Sequence, residues 1–135
     1  MASGVATAVK ALSPRTLVVG VEPELAGDAA ESLATGRLTQ WPLAQTSRTI
    51  ADGLRTALSP LTFEHLTAHL DGIVTVSEDE IVSSMATLGQ WYRLVAEPSG
   101  AVAPAAWFSR ADELRERFGL GDGPVVAVLS GGNAA

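Results

Sequence analysis

Ser130-Gly131-Gly132-Asn133 sets a hydroxyl, two side-chain-free backbone units and a carboxamide in a row, directly after the apolar run Val125 to Leu129. Glycine lets a backbone approach a ligand closely, while serine and asparagine supply directional hydrogen bonds. A segment like this, leaving the carboxyl end of a parallel strand, stands where open α/β sheets bind their ligands. A plain turn after a strand is the simpler alternative. His65 and His69 form the other pair with chemical potential, since residues four apart on a helix share a face. No third ligand and no HExxH frame accompanies them, so a solvated helix face is preferred over zinc. The chain has no cysteine, which excludes thiolate chemistry, disulfides and cysteine-ligated zinc. No Ser-His-Asp arrangement, Walker loop or GxGxxG occurs.

These groups need a scaffold. Val125 to Leu129 is too short to span a membrane and rich in β-branched residues, which predicts a strand buried on both faces. Thr16 to Val21 and Ile73 to Val76 predict two more of the same kind. Val5, Val9 and Leu12 define a helix over 2–12 that Ser13-Pro14 ends. Asp28 begins a short helix, with Glu31 in a capping-box-like relation and Gly36 at its end. Phe63, Leu66 and Leu70 mark another. Ser77 and Glu80 form a capping box for a helix carrying Ile81, Met85, Leu88 and Tyr92. After Glu97-Pro98-Ser99 a last helix begins near Gly100, irregular around Pro104, and stops at Gly119. Residues 37–60 show no period and predict a long ordered loop around Thr49 to Leu54. Lys10 and the charged run Arg110 to Arg117 read as solvated surface, and Trp41, Trp91 and Trp107 as packing residues.

Strands separated by helices predict an α/β fold, a three-layer αβα arrangement with a small parallel sheet, in a single partial domain over 1–135. Three strands leave two open edges, so the sheet is expected to be part of a larger one or to meet a partner. A mean hydropathy of +0.23 is greasy for a free-standing domain and agrees with that. The net charge of −6, with no basic patch, argues against nucleic acid. No run approaches the roughly 18–20 apolar residues of a membrane span. The first ten residues lack a signal-peptide pattern, so a cytoplasmic location is the expectation.

GVEPE (20–24), TIADGL (49–54), VTVSEDEI (74–81), AEPSGA (96–101) and VVAVLSGGN (125–133) occur in that order. Together they resemble the second half of the threonine dehydratases and serine racemases, fold-type II enzymes that use pyridoxal 5′-phosphate. Ala2 to Lys10 resembles the helix after that family's glycine-rich phosphate loop. The resemblance implies an incomplete piece of the fold-type II large domain. The parent reaction would convert L-threonine or L-serine to a 2-oxo acid and ammonia, with a serine racemase-type parent as the alternative.

The same resemblance implies site residues. Ser130 would donate a hydrogen bond to the cofactor's pyridine nitrogen, with Gly131 beside it. Glu97 would lie near the ring edge, and Gly53 would give backbone access in a loop lining the cleft. Glu22, the carbonyl of Ala26, and Asp28 would hold Mg²⁺, Mn²⁺ or Ca²⁺, hard ions suited to oxygen ligands and water. Each has a plainer reading: Ser130 capping a turn, Glu97 a charge fixed by Pro98, Gly53 a turn, Asp28 a helix N-cap, Glu22 a strand-end surface charge. Asn133 resembles a nucleotide-binding position of some eukaryotic relatives, whose accompanying residues are not all retained, so no ATP site is assigned. Family members are more than twice this length, and their cofactor-anchoring lysine lies upstream. Lys10, the only lysine, does not match that motif. No catalytic residue is therefore assigned, and the chain alone is expected to be inactive. Its expected partners are an amino-acid substrate in the complete enzyme and a missing amino-terminal half or a homo-oligomer partner. The rival reading is a non-catalytic half-domain that pairs with another chain.

Overall fold

The computed structural model describes residues 1–133. Helix α1 (Ala2–Leu12) leads to strand β1 (Val19–Pro23), a 3-10 turn (Glu24–Ala26) and α2 (Asp28–Thr35). Then come α3 (Leu43–Thr46), a second 3-10 turn (Asp52–Leu54), α4 (Pro60–His69) and β2 (Gly72–Val76). Helix α5 (Glu78–Thr87) continues into a π-helical turn (Leu88–Tyr92), and α6 (Pro98–Phe118) follows. The strands pair in parallel, Val19 opposite Gly72 and Pro23 opposite Val76. Strand residues alternate between faces. Val74 and Val76 go into a core with Ile81, Leu88, Ala101, Val102, Ala105 and Leu114 from the α5–α6 side. Ile73 and Thr75 face a groove of about 450 Å³ walled by Ala30, Leu33 and Ala34 of α2. Helices thus cover both faces, as the sequence predicts.

The third strand is absent among the described residues. Residues 124–129 have no regular structure, and Val125, Val126 and Val128 are 42%, 84% and 45% exposed. Phe118 ends α6 against Gly72, at the amino end of the sheet, whereas Gly131 lies against Glu97 at the opposite end of α6. The segment between therefore returns from one end of α6 to the other, and Leu129 reaches the core. It has no ladder neighbour among the described residues, and a parallel strand has no existence without one.

Other elements shift for identifiable reasons. Strand β1 starts three residues late because the Val18 amide donates to Asp71 Oδ2 at 2.6 Å instead of to a neighbouring strand. The loop over 37–60 holds the short α3 and a 3-10 turn. Helix α4 starts at Pro60, fixed by a Ser59–Thr62 capping box. Ser77 and Glu80 form the expected box on α5. Asp28 and Glu31 form none: Gly27 is the N-cap and has no side chain to offer. Helix α6 starts at Pro98, and its non-helical residue is Arg110, not Pro104. Trp91 is 80% exposed rather than packed.

Two charges read as solvated are engaged. Lys10 Nζ pairs with Asp71 at 2.7 Å and donates to the Thr16 carbonyl at 2.9 Å, tying α1 to the start of β2. Arg110 forks onto Glu80, with Nε–Oε1 at 2.8 Å and Nη2–Oε2 at 2.7 Å. The bond from Arg110 holds Glu80 below the usual carboxylate range although burial opposes it. Hydrogen bonds to charged groups are worth roughly 1.5–3 kcal/mol, so Arg110→Met should cost about 2 kcal/mol by urea unfolding at pH 7. Because the folded-state pKa of Glu80 is depressed, this contribution is present above the carboxyl's unfolded value of 4.5 and is lost as pH falls through the folded one. Wild type and variant should therefore converge in acid, and a constant gap down to pH 2 would refute the assignment.

Candidate functional site

The groups singled out through the family resemblance gather at the carboxyl ends of the two strands. Beyond Val76, Glu78 accepts the Ile50 amide on Oε2 at 2.7 Å, which draws the 49–54 loop over the end of β2. Arg55 holds the same loop from within, donating from Nη2 to the Thr49 carbonyl at 2.6 Å. Thr49 and Ala51 are buried in consequence. The next residues of the loop meet the start of α6: the Gly53 amide donates to Ser99 Oγ at 2.9 Å.

Glu97, just before α6, is the meeting point. Its amide donates to the Gly131 carbonyl at 3.1 Å, and its Oε2 accepts the Asn133 amide at 3.0 Å. The approach is so close that a Cβ on Gly131 would overlap the Glu97 carboxylate, and a Cβ on Gly100 would overlap the Gly131 backbone. Absent side chains at two positions are thus what allow the Ser130–Asn133 segment to lie on the helix. Gly53, Glu97 and Gly131 are joined through the amino end of α6, with Ser130 exposed beside them. Ser99, which bridges the Gly53 loop to α6, was not singled out from sequence. Its place directly after the Glu97-Pro98 break, in the first turn of a helix, was the available signal.

Glu22, Ala26 and Asp28 sit at the end of β1, all buried. Glu22 is no surface charge. Its oxygens accept the Ala29 and Ala30 amides at 3.1 and 2.8 Å, so it caps α2 from seven residues upstream. Burial, with a smaller push from Asp28, raises its carboxyl to about 7 against the pull of those two amides. Asp28 is raised as well, by burial first and by Glu31. Neighbouring buried carboxylates without a cationic partner fit a cation completed by a carbonyl and waters. Among the described residues no three acidic or histidine side chains converge.

Pyridoxal phosphate needs a neutral or polar contact for its ring nitrogen, a slot free of side chains and a lysine. Ser130 and the glycine-lined surface fit the first two. The lysine is not here: Lys10 is bound to Asp71, which precedes the first residue of β2. A five-residue strand at about 3.3 Å per residue separates it from the other groups. Neither His65 nor His69 belongs to this cluster.

Known proteins match this arrangement. Residues 1–131 fit the family profile described as pyridoxal-phosphate dependent enzyme. Serine racemase of Oryza sativa subsp. indica is 36% identical over 132 residues, covering 97% of this chain and 38% of that protein. The catabolic L-threonine dehydratase TdcB of Escherichia coli K12 is 36% identical over 133 residues, with coverage of 97% and 38%. The crystal structure of a threonine deaminase from T.th. superposes with a TM-score of 0.84 at 40% identity, covering 99% of this chain and 42% of that one. The chain therefore spans about two fifths of the length of these relatives. No helix among the described residues is long and apolar enough to cross a membrane. With the family profile running from the first residue into the glycine pair, and Gly131 itself packed against Glu97, this chain belongs to the pyridoxal-phosphate dependent enzymes.

Proposed function

We propose that this chain is the carboxyl-terminal part of the cofactor domain of an ammonia-lyase that converts L-threonine or L-serine to a 2-oxo acid and ammonia. The observation that carries this reading is the convergence of Gly53, Glu97 and Gly131 on one helix terminus at the strand outlets. Bound pyridoxal phosphate supplies the electron sink for losing the substrate's α-proton and β-hydroxyl.

The chain's own residues then have separate tasks. Ser130 donates a hydrogen bond to the ring nitrogen; a hydroxyl, unlike a carboxylate, does not hold a proton there. Glu97 borders the ring, its carboxylate steadied by the Asn133 amide. Gly53 and Gly131 leave the wall open. Glu22, the Ala26 carbonyl and Asp28 hold a divalent cation such as Mg²⁺, Mn²⁺ or Ca²⁺. The base that moves the α-proton is not among these residues, so the chain works with the rest of the enzyme and not alone. A serine racemase-type parent is the second reading, since the Oryza sativa serine racemase and the Escherichia coli dehydratase are equally similar to this chain, at 36% identity.

The test combines the purified chain with a polypeptide carrying the remainder of a threonine dehydratase, and assays 2-oxo acid release from L-threonine and L-serine. Product should form in the mixture and not with the chain alone. Losing one hydrogen bond worth about 1.4 kcal/mol is tenfold in rate, so Ser130→Ala should lower turnover about tenfold or more. Turnover by the chain alone, or an undiminished Ser130→Ala mixture, refutes the assignment. Racemised serine in place of 2-oxo acid selects the second reading.

A further inference from the structure

We propose that His65 and His69 form a binding site for a borderline divalent transition-metal ion, of the Ni²⁺, Cu²⁺ and Zn²⁺ class, on α4 beside α1. The site is independent of the cofactor reading and of the Glu22–Asp28 cluster. The two imidazoles stand one helical turn apart, with ring centroids 6.0 Å from each other. They line a shallow cavity of about 210 Å³ with Leu61, Glu64 and Ala68.

The decisive feature is the hydrogen bonding of Thr7 on α1. The Thr7 hydroxyl donates its one proton to the Ser3 carbonyl at 2.8 Å. Toward His65 Nδ1, 2.9 Å away, that oxygen can only accept. Nδ1 of His65 therefore carries the hydrogen, and the lone pair of the neutral ring is on Nε2. A histidine whose far nitrogen donates to a fixed oxygen is the arrangement that fixes the tautomer and orients imidazoles on metals. Here Thr7 supplies it before any metal arrives. His69 follows at the spacing that brings both rings to one ion.

Metal–nitrogen bonds of about 2.0–2.1 Å require the rings to draw somewhat closer than they stand, which small side-chain rotations supply. Imidazole pairs select Ni²⁺, Cu²⁺ and Zn²⁺ over the hard ions that carboxylates prefer. Two protein ligands leave the remaining positions to water. Glu64 in the same cavity adds negative charge to a chain already at −6.

The experiment is calorimetric titration of the full, tag-free chain with Ni²⁺ and then Zn²⁺, in excess Mg²⁺ to fill any hard-ion site. One Ni²⁺ per chain is expected. His65→Ala and His69→Ala should each weaken it at least tenfold while leaving the circular dichroism unchanged. Thr7→Val should weaken it about tenfold, and Thr7→Ser should restore it. A His69→Ala chain that binds Ni²⁺ as wild type does, or a wild-type chain that binds none, overturns the site. A Thr7→Val chain of undiminished affinity overturns the role given to Thr7.

Discussion

Raising the pH from 4.5 to about 8 should lower the unfolding free energy of this chain by about 3 kcal/mol, and Glu22→Gln should remove most of that slope. The carboxyl of Glu22 rises from 4.5 to about 7 on folding, chiefly by burial. Each unit is worth about 1.4 kcal/mol. The folded state binds the proton more tightly than the unfolded chain, so this contribution is whole below about 4.5 and lost as pH climbs through about 7. Asp28, raised too, acts in the same sense. Asp71 and Glu80 are lowered and act oppositely, but their windows lie below the ordinary carboxylate values and do not mask the effect. Urea midpoints measured every half unit of pH resolve it. A cation held by Glu22 and Asp28 would favour their ionised forms, so millimolar Mg²⁺ should recover stability at pH 8 and have little effect at pH 5. An equally steep slope in Glu22→Gln locates the titration elsewhere.

Gly100→Ala should strip the Ser130–Asn133 segment from α6. On an exposed helix that exchange is favourable by about 1 kcal/mol. Here the added carbon would overlap the Gly131 backbone, which cannot swing aside as the tip of a flexible side chain can. Overpacking of this kind costs roughly 1–3 kcal/mol, so the clash outweighs the helix gain or the segment lifts away. Either response breaks the Glu97 amide bond to Gly131. Hydrogen exchange at the Glu97 amide should accelerate at least tenfold, and cofactor affinity of the completed enzyme should drop by a similar factor. Gly4→Ala is the control, with nothing within 4 Å of its added carbon. Unchanged exchange at Glu97 in Gly100→Ala would show that the contact is not close in solution.

What the sequence discloses here is what short-range chemistry dictates. The box of Ser77 and Glu80 was legible because donor and acceptor lie within one turn. β2 was legible from Ile73 to Val76, and Gly36 and Gly119 mark helix ends through the left-handed conformation they adopt. The misses share a cause, a partner distant in sequence. Asp28 looks like a cap by local rules, but Glu22 on the preceding strand takes the amides. Arg110 looks like solvated charge until Glu80, thirty residues back, turns out to face it. Pro104 suggested the irregularity, yet Arg110 carries it. For the site, motif order pointed to Gly53, Glu97 and Gly131, while their common attachment to one helix terminus required coordinates. No periodicity could announce that Val125 to Leu129 would have no ladder to join.

That last feature governs how the chain behaves in a test tube. A five-residue stretch of valine, alanine and leucine, with no proline or charge inside it and no ladder to join among the described residues, is a template for stacking with identical copies. Light scattering should therefore grow with concentration, and a lysine at Val126, the most exposed of the valines, should act as a gatekeeper that suppresses it.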